Sequence, residues 1–383
     1  MGRNKRFGGM NMTNRERVKA ILHYQPVDRV PVVAFGYWNE TLEKWAREGH
    51  ITQAQCDGYY DNSPADNEIM QKLGFDFNWN SCLGGNVNLL PAFEEQEISR
   101  EADGAIIKRD GNGLIVRVKP GVVSIPSEIG TTLTDRQAWE EHYVARLQYC
   151  EERIPVKALE AARAGDASRD IPLALHCGSL YGFVRNLMGV EELSYMQVDD
   201  EDLYAEIINT CAEVCYKVVE KILTFGVAFD YAHFWEDICF KNGPLVHPNV
   251  FARYVGPHYK RITDLLAKHG IDIVSLDCDG KIDKLLPIWL ENGVNTMFPI
   301  EVGTWNASIA PWREQYGKQL RGVGGMDKRV FAQDRAAVDR EIERLRPLVE
   351  MGGYIPCPDH RIAPDAIYGN VAYYCERFRH VFG

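Results

Sequence analysis

The residues best suited to chemistry in this 383-residue chain gather from residue 176 onward, each at or just after the end of a short apolar run. His176 and Tyr181 follow IPLAL (171–175), and His233, Trp235 and Glu236 close or follow VAFDYAHF (227–234). Asp277, Cys278 and Asp279 follow IDIVSL (271–276), and Glu301 follows VNTMFP (294–299). Asp327 and Lys328 follow LRGVGG (320–325), while Cys357, Asp359, His360 and Arg361 close or follow YIPC (354–357). On an extended strand end, residues i and i+2 point the same way, so Asp277 and Asp279 can reach one ion while Cys278 points opposite. Taken singly, a loop carboxylate is commonly a solvated charge or a cap, and a histidine a hydrogen-bonded core residue. The convergence of Asp277, Asp279, Glu301 and His360 on neighbouring strand ends makes them a candidate metal set, with Cys278 and Cys357 as the alternative ligands. Hard oxygen donors of this kind suit Mg2+ or Mn2+ as well as Zn2+.

The elements that must position these residues alternate between apolar runs and helices. VPVVAF (30–35) and FDFNW (75–79) precede the six runs above, which makes eight strands. Helices are expected over 14–24, introduced by Thr13 as N-cap with Glu16 three residues on, and over 40–48, 66–73, 200–225, 248–269, 281–292 and 335–350. Between 92 and 132, short alternating runs separated by Asp103-Gly104 and Asn112-Gly113 predict an antiparallel β excursion. Eight strands alternating with helices predict an α/β fold, a (β/α)8 TIM-type barrel with its site at the C-terminal strand ends. A doubly wound open sheet is the structural alternative. We expect a flexible N-terminal arm over 1–12 and one barrel domain over 13–383. The expected cavity touches Glu236, Asp277, Glu301 and His360 together.

The chain carries 43 Lys+Arg against 54 Asp+Glu, a formal charge of −11, with 45% hydrophobic residues. It can therefore bury a large core, and its acidic balance argues against nucleic acid or anionic membrane as a partner. No apolar run approaches the ~18 residues that span a bilayer. The basic opening, MGRNKRFGGMNMTNRERV, has no apolar stretch of the kind that directs export. None of the ten cysteines forms a C-x2-C pair, and Cys211 and Cys215 lie i,i+4 on an apolar helix face. A reduced, cytoplasmic protein whose thiols mostly pack is expected.

Five segments carry a family resemblance. MTNRERVKAILHYQPVDRVPV (12–32), EDICFKNGPLVHPNVF (236–251), DCDGKIDKLLPIWLENGVN (277–295), LRGVGGMDKR (320–329) and GGYIPCPDHRIAPDAI (352–367) resemble, in order, segments of the uroporphyrinogen decarboxylase superfamily. The match runs over nearly the whole chain and implies a TIM-type barrel. True porphyrin decarboxylases of the superfamily carry an Arg-rich R-Q-A-G-R stretch soon after the first strand. Here that place reads FGYWNETLEKW (35–45), with Tyr37 and Trp38 and no arginine. A porphyrin's carboxylates would lack their cationic clamp.

The resemblance points instead to the cobalamin-dependent methyltransferases. In the thiol-methylating members zinc is held by H-x-C after the fifth strand and a Cys after the last, and the related cobalamin-independent methionine synthases add a Glu after the sixth. Laid on this sequence, those places are Asp277, Asp279, Glu301 and, approximately, His360. The resemblance thus implies a divalent metal, zinc first, on ligands fitted to an ether oxygen more than to a thiol. It implies a methyltransferase of the kind used in anaerobic O-demethylation. Such an enzyme moves a methyl group between a small O-methylated compound, such as a methoxyaromatic, or alternatively an N-methylated one, and the cobalt of a separate corrinoid protein. The chain has no D-x-H-x-x-G corrinoid motif of its own. Tyr37, Trp38, His176, His233 and Trp235 would wall the substrate, and Glu236, Tyr181 and Asp327 would supply a proton or support a ligand. Two rivals stand beside this reading: a decarboxylase of a smaller acid, with Arg185, Lys328 and Arg361 as carboxylate binders, and a non-catalytic ligand-binding barrel. A homo-oligomer stays open.

Overall fold

The structure, a computed structural model, describes residues 11–119 and 126–383. Nearly all of the expected N-terminal arm, and residues 120–125 of the expected β excursion, lie outside the described residues.

Runs rich in β-branched and aromatic residues build the inner wall. β1 (Val33–Ala34) pairs in parallel with β2 (Phe77–Asn78), and after a short break the chain re-enters the wall as β3 (Cys82–Leu83). A four-stranded antiparallel sheet follows: β4 (Gln96–Arg100), β5 (Ile106–Arg109), β6 (Leu114–Val118) and β7 (Ser127–Thr131). Its first two turns carry Gly104 and Gly113 at φ +84° and +88°, left-handed backbone that glycine adopts without a Cβ clash. The wall resumes with β8 (Ala174–His176) and β9 (Tyr231–Trp235). A small antiparallel hairpin that the sequence did not announce, β10 (Cys239–Phe240) with β11 (Gly243–Pro244), interrupts it. Then come β12 (Val274–Asp277), β13 (Thr296–Ile300), β14 (Arg321–Met326) and β15 (Tyr354–Pro358).

Neighbours run parallel in the order β3-β8-β9-β12-β13-β14-β15. The ring closes where Tyr37 bridges Ile362 in parallel: Ile362 N–H donates to Gly36 O at 3.0 Å and Trp38 N–H to Ile362 O at 3.1 Å. With β2 and β3 as two pieces of one stave, this is the expected (β/α)8 barrel, with the antiparallel sheet inserted between its second and third staves.

Helices clothe the wall. Thr13 and Glu16 cap the first, Asn14–Leu22, reciprocally, satisfying two backbone donors that would otherwise be orphaned. In Glu201–Leu223 one face, including Ile207, Cys211, Val214, Cys215 and Val218, is buried. The helix expected over 248–269 is two, Pro248–Tyr254 and Gly256–Lys268, parted at Val255. All ten cysteines are free. No helix among the described residues is long and apolar enough to cross a membrane.

Alternation along each strand decides what faces inward. Deep in the barrel Trp79 stacks on Tyr231 at 4.4 Å and donates from its indole to Ser275 Oγ at 3.3 Å. One level up, register sets His176 beside His233 and His233 beside Ser275. Above them lie Trp235, Asp277 and Phe298, again register partners. The intervening residues pack outward against helices, as Phe234 does against Tyr259, edge-on at 5.0 Å.

Candidate active site at the barrel mouth

The same alternation, carried past the C-terminal strand ends, lines a cavity of about 390 Å3. Phe35, Trp38 and Trp235 are its aromatic walls. His176, His233, Asp277, Asp279 and His360 meet there, as do Asp61, Asn80, Cys82, Asp237 and Arg361. Asp277 and Asp279 sit on one face of the strand end, and Cys278 between them is 1% exposed and outside the cavity. His360 Nε2 lies 3.2 Å from Asp279 Oδ2, and its ring stacks on Trp38 at 5.5 Å and 15°.

The charges are crowded. Burial pushes the Asp277 carboxyl well up, and the negative charges of Asp279 and Asp237 push it further. Burial lowers the pKa of His176 and, helped by the His176 ring, takes His233 down to about 3, so both imidazoles stay neutral at ordinary pH. Arg361 is the one guanidinium in the lining, and its two nitrogens grip Asp61 at 3.0 and 2.5 Å.

Other candidates stand away from this cavity. Glu236 is fully buried and does not line the mouth cavity; its carboxylate accepts from the backbone N–H of Leu180, Tyr181 and Gly182 at 2.7, 3.0 and 2.6 Å, from Ser179 Oγ and from the Tyr259 hydroxyl. It holds the loop after β8. Tyr181 is 4% exposed; its hydroxyl accepts from Tyr204, and burial pushes its pKa to about 12. Asp327 caps the turn after β14 through Arg329 N–H and pairs with the Arg329 guanidinium at 2.8 Å. Tyr37 is 1% exposed and packs edge-on against Trp45 and Tyr59. Gly36, at φ +97°, bends the chain between Phe35 and Tyr37, so Phe35 rather than Tyr37 joins the wall. The mouth cavity touches Asp277 and His360 but neither Glu236 nor Glu301, so the expected foursome does not meet there. Glu301 instead lines a neighbouring trough of about 580 Å3, which shares Asp237 and Asp279 with the mouth.

These placements bear on the metal. Both Glu301 oxygens are engaged, one by Gly280 N–H at 2.5 Å and the other by the Thr304 hydroxyl at 2.7 Å. Cys278 and Cys357 are buried, and neither lines the mouth cavity. Among the described residues no three His, Cys, Asp or Glu side chains gather as a shell for an ion. Asp277, Asp279 and His360 share the mouth, but the full set implied by the resemblance does not assemble there. The three cations of the decarboxylase reading are occupied as well: Arg185 by Asn186 and Asp237, Lys328 Nζ by Arg361 O at 3.0 Å, and Arg361 by Asp61.

Some lining residues escaped the sequence reading. Asp61 comes from a loop between two helices, where no strand end marks it. Asn80 and Cys82 lie in and just beyond the break that splits the second stave. Asp237 directly follows Glu236 after the fourth strand, but its left-handed φ of +49°, which turns the chain back toward the mouth, has no sequence signature.

A parallel eight-stave barrel with its acidic and imidazole side chains at the C-terminal mouth defines the class of α/β-barrel proteins whose ligands bind at that face. The chain matches the family Uroporphyrinogen decarboxylase (URO-D) over residues 125–381, and it belongs to that family. A solved structure described as a methyltransferase from Methanosarcina mazei is similar at a TM-score of 0.59 and 15% identity, over 97% of this chain and 100% of that one. A B12-independent methionine synthase from Shewanella sp. W3-18-1, solved in complex with selenomethionine, is similar at a TM-score of 0.47 and 10% identity, over 92% of this chain and 98% of that one. These likenesses concern the fold. No curated protein matches the chain.

Proposed function

We propose that the protein is a methyltransferase that moves a methyl group between a small methylated compound in the barrel mouth and the cobalt of a separate corrinoid protein. One observation carries this reading against decarboxylation of a porphyrin: the mouth has aromatic walls and four carboxylates, and its only guanidinium is already paired with Asp61. Such a site repels polycarboxylates and accepts compact apolar or cationic groups. The family resemblance supplies the methyl-transfer chemistry and the need for a corrinoid partner.

The chain's own residues bind and orient. Phe35, Trp38 and Trp235 enclose the donor and exclude water from the reacting methyl. For an O-methylated donor, which brings no positive charge, burial and the acidic neighbours favour the protonated Asp277 carboxyl, ready to protonate the leaving oxygen, whereas a bound cation would favour its carboxylate. The reading takes no step through a metal; a divalent ion on Asp277, Asp279 and His360 is an expectation of the resemblance, checked by metal analysis of the purified protein. The test of function is methyl transfer from a panel of methoxyaromatics and methylated amines to a reduced corrinoid protein. If no donor methylates the cobalt, the proposal falls.

A further inference from the structure

The charge of the mouth narrows the donor's chemistry, on the reading that a methyl donor binds there. Asp61, Asp237, Asp277 and Asp279 line one cavity. Asp61 is spent on Arg361, Asp237 leans on Arg185 at 3.5 Å, and Asp279 touches His360 with one oxygen while its Oδ1 is buried without a partner. The Asp277 carboxyl group lies among these carboxylates with no hydrogen-bond partner among the described residues. Anions this close call for a cation between them.

A second observation points to a ligand. His233 lines the same cavity, is 4% exposed, and leaves Nδ1 buried with no hydrogen-bond partner. A buried polar atom without a partner is costly, and a ligand's hydroxyl or amino group would complete it. Neither His233 nor His176 brings positive charge, because burial keeps both neutral. The third observation is the wall itself. Tryptophan faces offer nothing to a bare metal ion, whereas an alkylammonium ion draws on carboxylates and aromatic faces at once.

We infer that the mouth binds a small quaternary methylammonium ion, its charged nitrogen held between the Trp38 and Trp235 walls and the carboxylates of Asp277 and Asp279. From such a donor the C–N bond breaks with its electron pair left on nitrogen, and a neutral amine departs. The pair that forms the new bond to the methyl comes from the partner's cobalt(I). No proton has to be supplied. Positive charge leaves the nitrogen, so the carboxylates lose their counter-charge and release the product.

Calorimetric titration of the purified protein tests this with choline and with its uncharged isostere, in which carbon replaces nitrogen. Choline binds at least about tenfold more tightly than the isostere. Trp38→Leu and Asp277→Asn each weaken choline binding about five- to thirtyfold and weaken the isostere distinctly less, so the preference for the cation shrinks. Trp38 is 38% exposed, so its variant keeps the test open should Asp277→Asn fail to fold. Equal affinity for the two compounds, or zinc binding that choline does not displace, overturns the inference. Choline binding with no methyl transfer to any corrinoid acceptor upholds the cation site and removes the methyltransferase reading. Methyl transfer from neutral methoxyaromatics by a protein that ignores choline does the reverse.

Discussion

Replacing Glu236 by glutamine separates a structural carboxylate from a catalytic one. Oε1 accepts from Leu180 N–H and the Tyr259 hydroxyl, and Oε2 from Tyr181 N–H, Gly182 N–H and Ser179 Oγ. The hydroxyls can turn and accept from an amide; the backbone N–H groups cannot. In the better orientation the new NH2 faces Leu180 alone, leaving one buried N–H unpaired at about 1–3 kcal/mol, and the other bonds lose their charge assistance. The total is about 2–4 kcal/mol, read as a lower midpoint at unchanged slope in urea unfolding. Glu236→Ala strips all five donors and costs about 5 kcal/mol or more. If Glu236→Gln unfolds within about 0.5 kcal/mol of the parent and yet abolishes methyl transfer, the carboxylate belongs to the chemistry and the structural assignment is wrong.

Three further outcomes are expected. His233 has a folded pKa of about 3 against an ordinary 6.5, so between those values the unfolded chain binds the extra proton and stability falls with pH; by about pH 5 the loss is about 2 kcal/mol, and His233→Gln flattens that part of the stability–pH curve. A Cβ on Gly36 would sit 2.7 Å from Tyr59 Oη and 2.8 Å from Arg361 Nη1 at a φ of +97°, so Gly36→Ala costs about 1–3 kcal/mol in thermal unfolding and disturbs the Arg361–Asp61 pair; an Ala variant as stable as the parent contradicts the crowding. Uroporphyrinogen is not turned over, because buried carboxylates would each meet a penalty of several kcal/mol with no arginine clamp; CO2 release at an enzymatic rate would show otherwise.

The barrel was readable because each stave is a short apolar run between amphipathic helices. The Asp-Gly and Asn-Gly pairs likewise marked the antiparallel excursion. The i,i+2 spacing of Asp277 and Asp279 was legible for the same reason: strand pleat is a local property. The rest of the site depends on non-local facts. Glu236 follows a strand end as Asp277 does, yet its side chain turns to the orphan N–H groups of the β8 loop, a partnership visible only once the two staves are neighbours. Glu301 is likewise drawn off by Gly280 and Thr304. Asp61 is held at the mouth in large part by Arg361, far along the chain.

That pairing has a consequence for how the molecule comes into being. Arg361 and Asp61 are 300 positions apart, and the Tyr37–Ile362 bridge beside them joins the ring across a similar interval. Every other seam of the barrel joins staves that are successive along the chain. The mouth takes Phe35, Trp38 and Asp61 from one side of this seam and His360 and Arg361 from the other. A chain still emerging from the ribosome can therefore stack most of its staves and possess no pocket at all; binding switches on once the stretch that carries His360 and Arg361 closes the ring, rather than accumulating. The seam, one bridge wide where its neighbours have ladders, is also where native-state hydrogen exchange should first report opening. A ligand clasped across it would act as a staple on the finished ring.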